Sequence, residues 1–166
     1  KKETITIHSD FTYTHVKEQK IMVTAAEGLD HAYTRLHYDK LNEVKGFELE
    51  VRDVLTGKTV RKAKLKDMGD AASYSTSTVL DDDRYKYFGV TGTKFPIEVL
   101  IRTEVFSKSN FFIPTWLPVP NYNQNVEEST YTVNYPTELG INVKLFNISG
   151  EIIVTLVGGI TSICWS

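Results

Sequence analysis

Apolar and polar residues change places with a period of two along most of this chain, the spacing at which side chains fall on the two faces of a β-strand. Ile5, Ile7, Phe11 and Tyr13 alternate with threonines, His8 and Asp10. Phe47, Leu49, Val51 and Leu55 alternate with Glu48, Glu50 and Arg52, and Thr56-Gly57 then predicts a hairpin turn into residues 58–65. Ile97, Val99, Ile101 and Val105 repeat the pattern, as do Tyr131, Val133 and Tyr135, and then Ile141, Val143 and Leu145. With residues 19–25, 85–90 and the C-terminal tail, the pattern predicts about ten short strands, the density of an antiparallel β-sandwich. One stretch is ambiguous. Ala26, Leu29, Tyr33 and Leu36 recur at helical spacing, yet residues 33–38 also fit a strand. Residues 71–78, rich in serine and threonine, read as loop.

The run Phe111-Phe112-Ile113-Pro114-Thr115-Trp116-Leu117-Pro118-Val119-Pro120 breaks this rhythm. Proline lacks the N–H a ladder needs and fixes φ, so the run predicts an ordered elbow or edge segment rather than a central strand. It contains no nucleophile, no acid/base pair and no set of metal ligands.

Length changes the picture little: 166 residues suit one domain or at most two small ones, and the reading is a single domain spanning residues 1–166. A net charge of −2 with scattered lysines gives no general pull toward nucleic acid or an anionic membrane. Residues 151–166 form an apolar tail, uncharged from residue 152 onward. It is shorter than the ~20 residues a spanning helix needs, so no transmembrane segment is expected, and with Gly158-Gly159 it predicts a buried closing hairpin.

Candidate chemistry is sparse. Thr56-Gly57-Lys58-Thr59 ends like a phosphate-binding loop, but Arg52 occupies the place of the first glycine. Asp81-Asp82-Asp83 invites a calcium reading, although the positions an EF-hand requires hold Lys86 and Gly92, and an acidic turn is the simpler account. His8, His15, His31 and His37 lack the spacing of a zinc motif, so neither metal nor cofactor is expected. Cys164 is the lone cysteine, flanked by Ile163 and Trp165, and reads as a packed thiol rather than a nucleophile. No catalytic residue is expected. Trp116, Tyr122, Tyr131 and Tyr135 fall near Asn121, Asn123, Gln124 and Asn125. Rings beside amides suit either a sugar-binding face, with Asn123 bonding hydroxyls, or a surface that docks another protein.

The order of several motifs resembles a known family. Residues 51–60 read V-x-D-x-x-T-G-K-T-V, followed by Lys66-Asp67-Met68-Gly69-Asp70, the serine-rich stretch and Asp82-Asp83-Arg84. Then come P-I-E-V-x-I-R-T-E at residues 96–104, the proline elbow, and V-E-E-S-T-Y-T-V-N-Y-P at residues 126–136. Over residues 3–150 this resembles the uncharacterised domain that precedes transglutaminase-like cysteine-protease domains in bacterial envelope proteins. The resemblance implies a β-sandwich, a periplasmic or cell-envelope location, and a catalytic domain elsewhere in a longer chain. Transglutaminase-like domains place cysteine before histidine and aspartate, and only Trp165 and Ser166 follow Cys164 here. The expectation is therefore a non-catalytic accessory domain that positions a catalytic partner, with cell-wall peptide or polysaccharide as further partners. The alternative is a carbohydrate- or cell-wall-binding module using the aromatic residues.

Overall fold

A computed structural model describes residues 1–73, 83–109, 111–119, 124–142 and 152–166. The described chain is all-β, with eleven strands: β1 (Lys2–Ile7), β2 (Tyr13–Val23), β3 (Thr34–Tyr38), β4 (Asn42–Asp53), β5 (Thr59–Lys64), β6 (Gly69–Ala72), β7 (Arg84–Phe88), β8 (Ile97–Ser107), β9 (Thr130–Pro136), β10 (Ile152–Val157) and β11 (Ile160–Trp165). The backbone gathers into two compact units. One holds Lys1–Lys17 and Ser107–Ser166, the other Glu18–Phe106, so β2 gives its first five residues to one and the rest to the other.

In the unit Glu18–Phe106, β2, β8, β4 and β5 lie side by side, and β3, β7 and β6 form a second, antiparallel sheet. The period of two explains the core between them. Phe47, Leu49 and Val51 of β4 and Ile97, Val99 and Ile101 of β8 all point inward with Val23 and Ala63, and Phe88 of β7 meets them from the other sheet. The Phe47 and Phe88 rings are 5.5 Å apart and tilted. Each such apolar side chain contributes about 1.5–3 kcal/mol on burial. The predicted turn at Thr56-Gly57 is present: Gly57 takes φ of 68°, its N–H donates to Asp53 O at 2.9 Å, and β4 pairs antiparallel with β5. The ambiguous stretch is a short 3-10 helix, Ala26–Ala32, followed directly by β3.

In the other unit β9 is the middle strand, pairing parallel with β1 and antiparallel with β11. That parallel pair is the one departure from an antiparallel scheme among the registers described here. Ile5, Ile7, Tyr13, Tyr135, Ile163 and Trp165 make a second core, against which Trp116, Tyr131, Val133, Leu139 and Ile141 pack. The long first strand expected over residues 4–14 is interrupted. Asp10 accepts hydrogen bonds from the Thr12 N–H and hydroxyl, Phe11 takes φ of 63°, and the Phe11 ring is exposed, not inward. An aspartate that bonds the backbone two residues on makes a turn competitive with the ladder.

The tail does form a hairpin. Gly158 and Gly159 take φ of 57° and 79°, the conformation a tight two-residue turn needs, and β10 pairs with β11 throughout. Burial of the whole hairpin does not follow. Ile163 and Trp165 are buried, but every residue of β10, the edge strand, is exposed.

Candidate functional site: an anchored apolar elbow

In the elbow the chain turns its backbone inward and its apolar side chains outward. Three side chains hold its carbonyls: the Tyr13 hydroxyl donates to Phe112 O at 3.1 Å, the Tyr131 hydroxyl to Pro114 O at 3.2 Å, and Lys1 Nζ to Leu117 O at 2.6 Å. The prolines withhold N–H groups that would otherwise need partners. Trp116 is the inward-facing member. Its ring stacks on Tyr131 at 5.9 Å, its Nε1 donates to Ser129 Oγ at 3.0 Å, and Tyr131 in turn meets Trp165. Left outside are Phe111 and Phe112, 81% and 79% exposed and in edge-to-face contact, with Leu117 and Val119. Exposed aromatics on a fixed backbone lose little freedom on binding, which is how a docking surface gains affinity.

Beneath the elbow lies a charged cluster that sequence reasoning missed. Glu3, 5% exposed, is on the core face of β1 opposite Tyr131. One carboxylate oxygen is 3.0 Å from Lys1 Nζ and the other 3.1 Å from His15 Nε2. Burial alone would raise its pKa, but the hydrogen bonds from His15 and Lys1 and the charges of Lys1 and Lys17 outweigh burial and hold it at about 2. Burial also pushes the Lys17 ammonium below its ordinary pKa. The Tyr131 hydroxyl is pushed up to about 12, first by burial and then by the charge of Glu3. Lys1 therefore links Glu3 to the elbow. The available signal was parity, since Glu3 shares a face with Ile5 and Ile7.

The residues proposed from sequence for a sugar-binding face have different fates. Tyr135 is 7% exposed and belongs to the core, which corrects its assignment as a ligand-stacking ring: it lies on the inner face of β9, paired with Thr161. Trp116 and Tyr131 lie together, each ring facing the other. Tyr122 and Asn123 lie outside the described residues, as do Asp81 and Asp82 of the acidic run.

Cys164, on β11, is partly buried beside Ile153 and Thr132, and its thiol's hydrogen-bond partner is the Trp165 carbonyl at 3.9 Å. His8 bonds the Thr14 hydroxyl and His15 bonds Glu3. Among the described residues no group of three or more His, Cys, Asp or Glu side chains is placed to hold a metal ion. No helix among them is long and apolar enough to cross a membrane.

The family model described as a domain of unknown function with solved structure, DUF3857, matches residues 9–166. This chain belongs to the DUF3857 family. No curated protein matches the DUF3857 chain. Among solved structures, it is similar to a protein from Parabacteroides distasonis ATCC 8503 designated a "putative protease", at 12% identity and a TM-score of 0.79. The likeness covers 99% of this chain and 33% of that one, so this chain spans about a third of that neighbour's length. At this identity the likeness shows the fold.

Proposed function

We propose that this domain is a non-catalytic accessory module that docks a catalytic domain of the cysteine-hydrolase type within a longer, exported chain. The observation that carries the reading is the elbow: Phe111, Phe112, Leu117 and Val119 are exposed on a backbone that Tyr13, Tyr131 and Lys1 hold in place. An apolar patch kept rigid and open to water marks an interaction surface. The exposed β10 adds Ile153, Val154, Leu156 and Val157 to the uncovered apolar area of the same unit. The size of the structural neighbour, three times the span matched here and designated a protease, supports a partner domain on the same polypeptide. The pairing of Cys164 with a backbone carbonyl, rather than an imidazole, supports a non-catalytic role. Export to the periplasm or envelope rests on the family likeness and is read directly by cell fractionation.

The docking reading is tested in the full-length protein. Replacing Phe111 and Phe112 with serine is expected to loosen the contact, seen as faster protease cleavage between domains and a larger radius in solution scattering. Unchanged cleavage and radius would remove the elbow as the docking surface. Hydrolysis of an amide substrate by the isolated domain would remove the non-catalytic assignment.

A further inference from the structure

The second sheet of the unit Glu18–Phe106 has two unlike faces. Its register puts Thr34, Leu36, Tyr38, Asp70, Ala72, Arg84, Lys86 and Phe88 on one face. Thr34 and Phe88 are buried there, while Asp70 accepts from Tyr38 and pairs with Arg84 at 2.7 Å and Lys86 at 2.8 Å, so the charges on that face are satisfied. The opposite, outer face carries Arg35, His37, Tyr85, Tyr87, Gly69 and Ala71, with no carboxylate among them.

The outer face is built as a platform. Arg35 Cζ lies 3.8 Å over the Tyr85 ring, whose centroid is 5.9 Å from those of His37 and Tyr87. Gly69 makes room for Tyr87, since a Cβ there would collide with the tyrosine ring. Tyr33 also lies along the backbone, at Gly89, where an added Cβ would be in ordinary contact with its ring at 3.4 Å. Gly69 thus lets Tyr87 lie close over the backbone, and Tyr87 and Tyr33 are 38% and 49% exposed. Arg35 has no ion-pair partner among the described residues. Stacking occupies the face of a guanidinium and leaves its in-plane N–H donors for a ligand, in the fork geometry that matches a carboxylate.

We propose that this outer face binds an acidic carbohydrate, a sugar ring bearing a carboxylate, with the sugar's C–H face on Tyr87 and its carboxylate on Arg35. A flat ring with a single anionic group matches both halves of the platform. A nucleic acid would need several free cations along its phosphates, and Arg84 and Lys86 are committed to Asp70 on the other side. The proposal is independent of the elbow, which lies in the other unit.

The test titrates the folded domain with oligogalacturonate, with a neutral oligoglucoside of equal length and with a short oligoribonucleotide, reading backbone amide shifts by NMR. Oligogalacturonate is expected to shift amides of β3 and β7 and to bind at least about tenfold more tightly than the neutral sugar. Arg35→Gln, which keeps the side-chain stem, is expected to abolish that preference, Tyr87→Ala to weaken both sugars, and Phe112→Ser to change neither. No binding at millimolar concentration, equal affinity for the neutral sugar, tighter binding of the ribonucleotide, or a preference that survives Arg35→Gln would each overturn the proposal. Should Tyr87→Ala fail to fold, Arg35→Gln alone decides.

Discussion

Replacing Glu3 with glutamine keeps the shape of the side chain and removes its charge. In the native protein the carboxyl is held at about 2 against an ordinary value of 4.5. That difference corresponds to about 3 kcal/mol of stability at neutral pH, since each unit is worth about 1.4 kcal/mol. The folded pKa lies below the unfolded one, so this contribution is complete above pH 4.5 and is lost as pH falls through 4.5 toward 2. About 2 of the 3 kcal/mol are gone by pH 3 on the same relation. Both tryptophans, Trp116 and Trp165, belong to the unit that contains Glu3, so tryptophan fluorescence during urea unfolding reports that unit directly. We expect Glu3→Gln to lower stability by about 2–3 kcal/mol at pH 7 and the gap to the native protein to narrow by about 2 kcal/mol at pH 3. A gap that stays the same at both pH values, or falls below about 0.5 kcal/mol at pH 7, would refute the account of Glu3 as an ion-paired anchor.

Serine at both Phe111 and Phe112 should leave the isolated domain's urea midpoint within about 0.5 kcal/mol of the parent, because rings this exposed contribute little to folding. Gly69→Ala should cost about 1–3 kcal/mol in the same measurement, as the added methyl must displace the Tyr87 ring. Ultraviolet difference titration should show a phenol ionising near 12 that vanishes in Tyr131→Phe, and in Glu3→Gln that ionisation should move down because a neighbouring negative charge is gone. The folded Tyr131 pKa is raised, so its stabilising contribution is present below pH 10 and is lost as pH climbs toward 12.

Strand positions were readable wherever alternation is strict. Phe47, Leu49 and Val51, and Ile97, Val99 and Ile101, turn out buried as a period of two demands, and Thr56-Gly57 turns as its residues require. Alternation assigns residues to a common face without saying which face meets water. Tyr131 and Tyr135 do share one, and it is the core face. The pairing of β1 with β9 joins residues more than 120 positions apart, and nothing local encodes it. Parity put Glu3 on the face of Ile5 and Ile7, but its partner His15 comes near only once β1 and β2 are placed. The platform of Arg35, Tyr85 and Tyr87 likewise exists only through strand register. The elbow was legible because three prolines in ten residues admit few conformations.

The edge strand β10 reads Ile-Ile-Val-Thr-Leu-Val, with no charge, no proline and a strand partner on one side only among the described residues. Strands of this composition recruit further strands, and proteins usually guard them with lysine or proline. A separately expressed domain will therefore self-associate as its concentration rises, and Thr155→Lys, on the face with Ile153 and Val157, supplies the missing guard. Under the proposed docking role, a partner domain that covers this strand would serve as its solubility device as well as its neighbour.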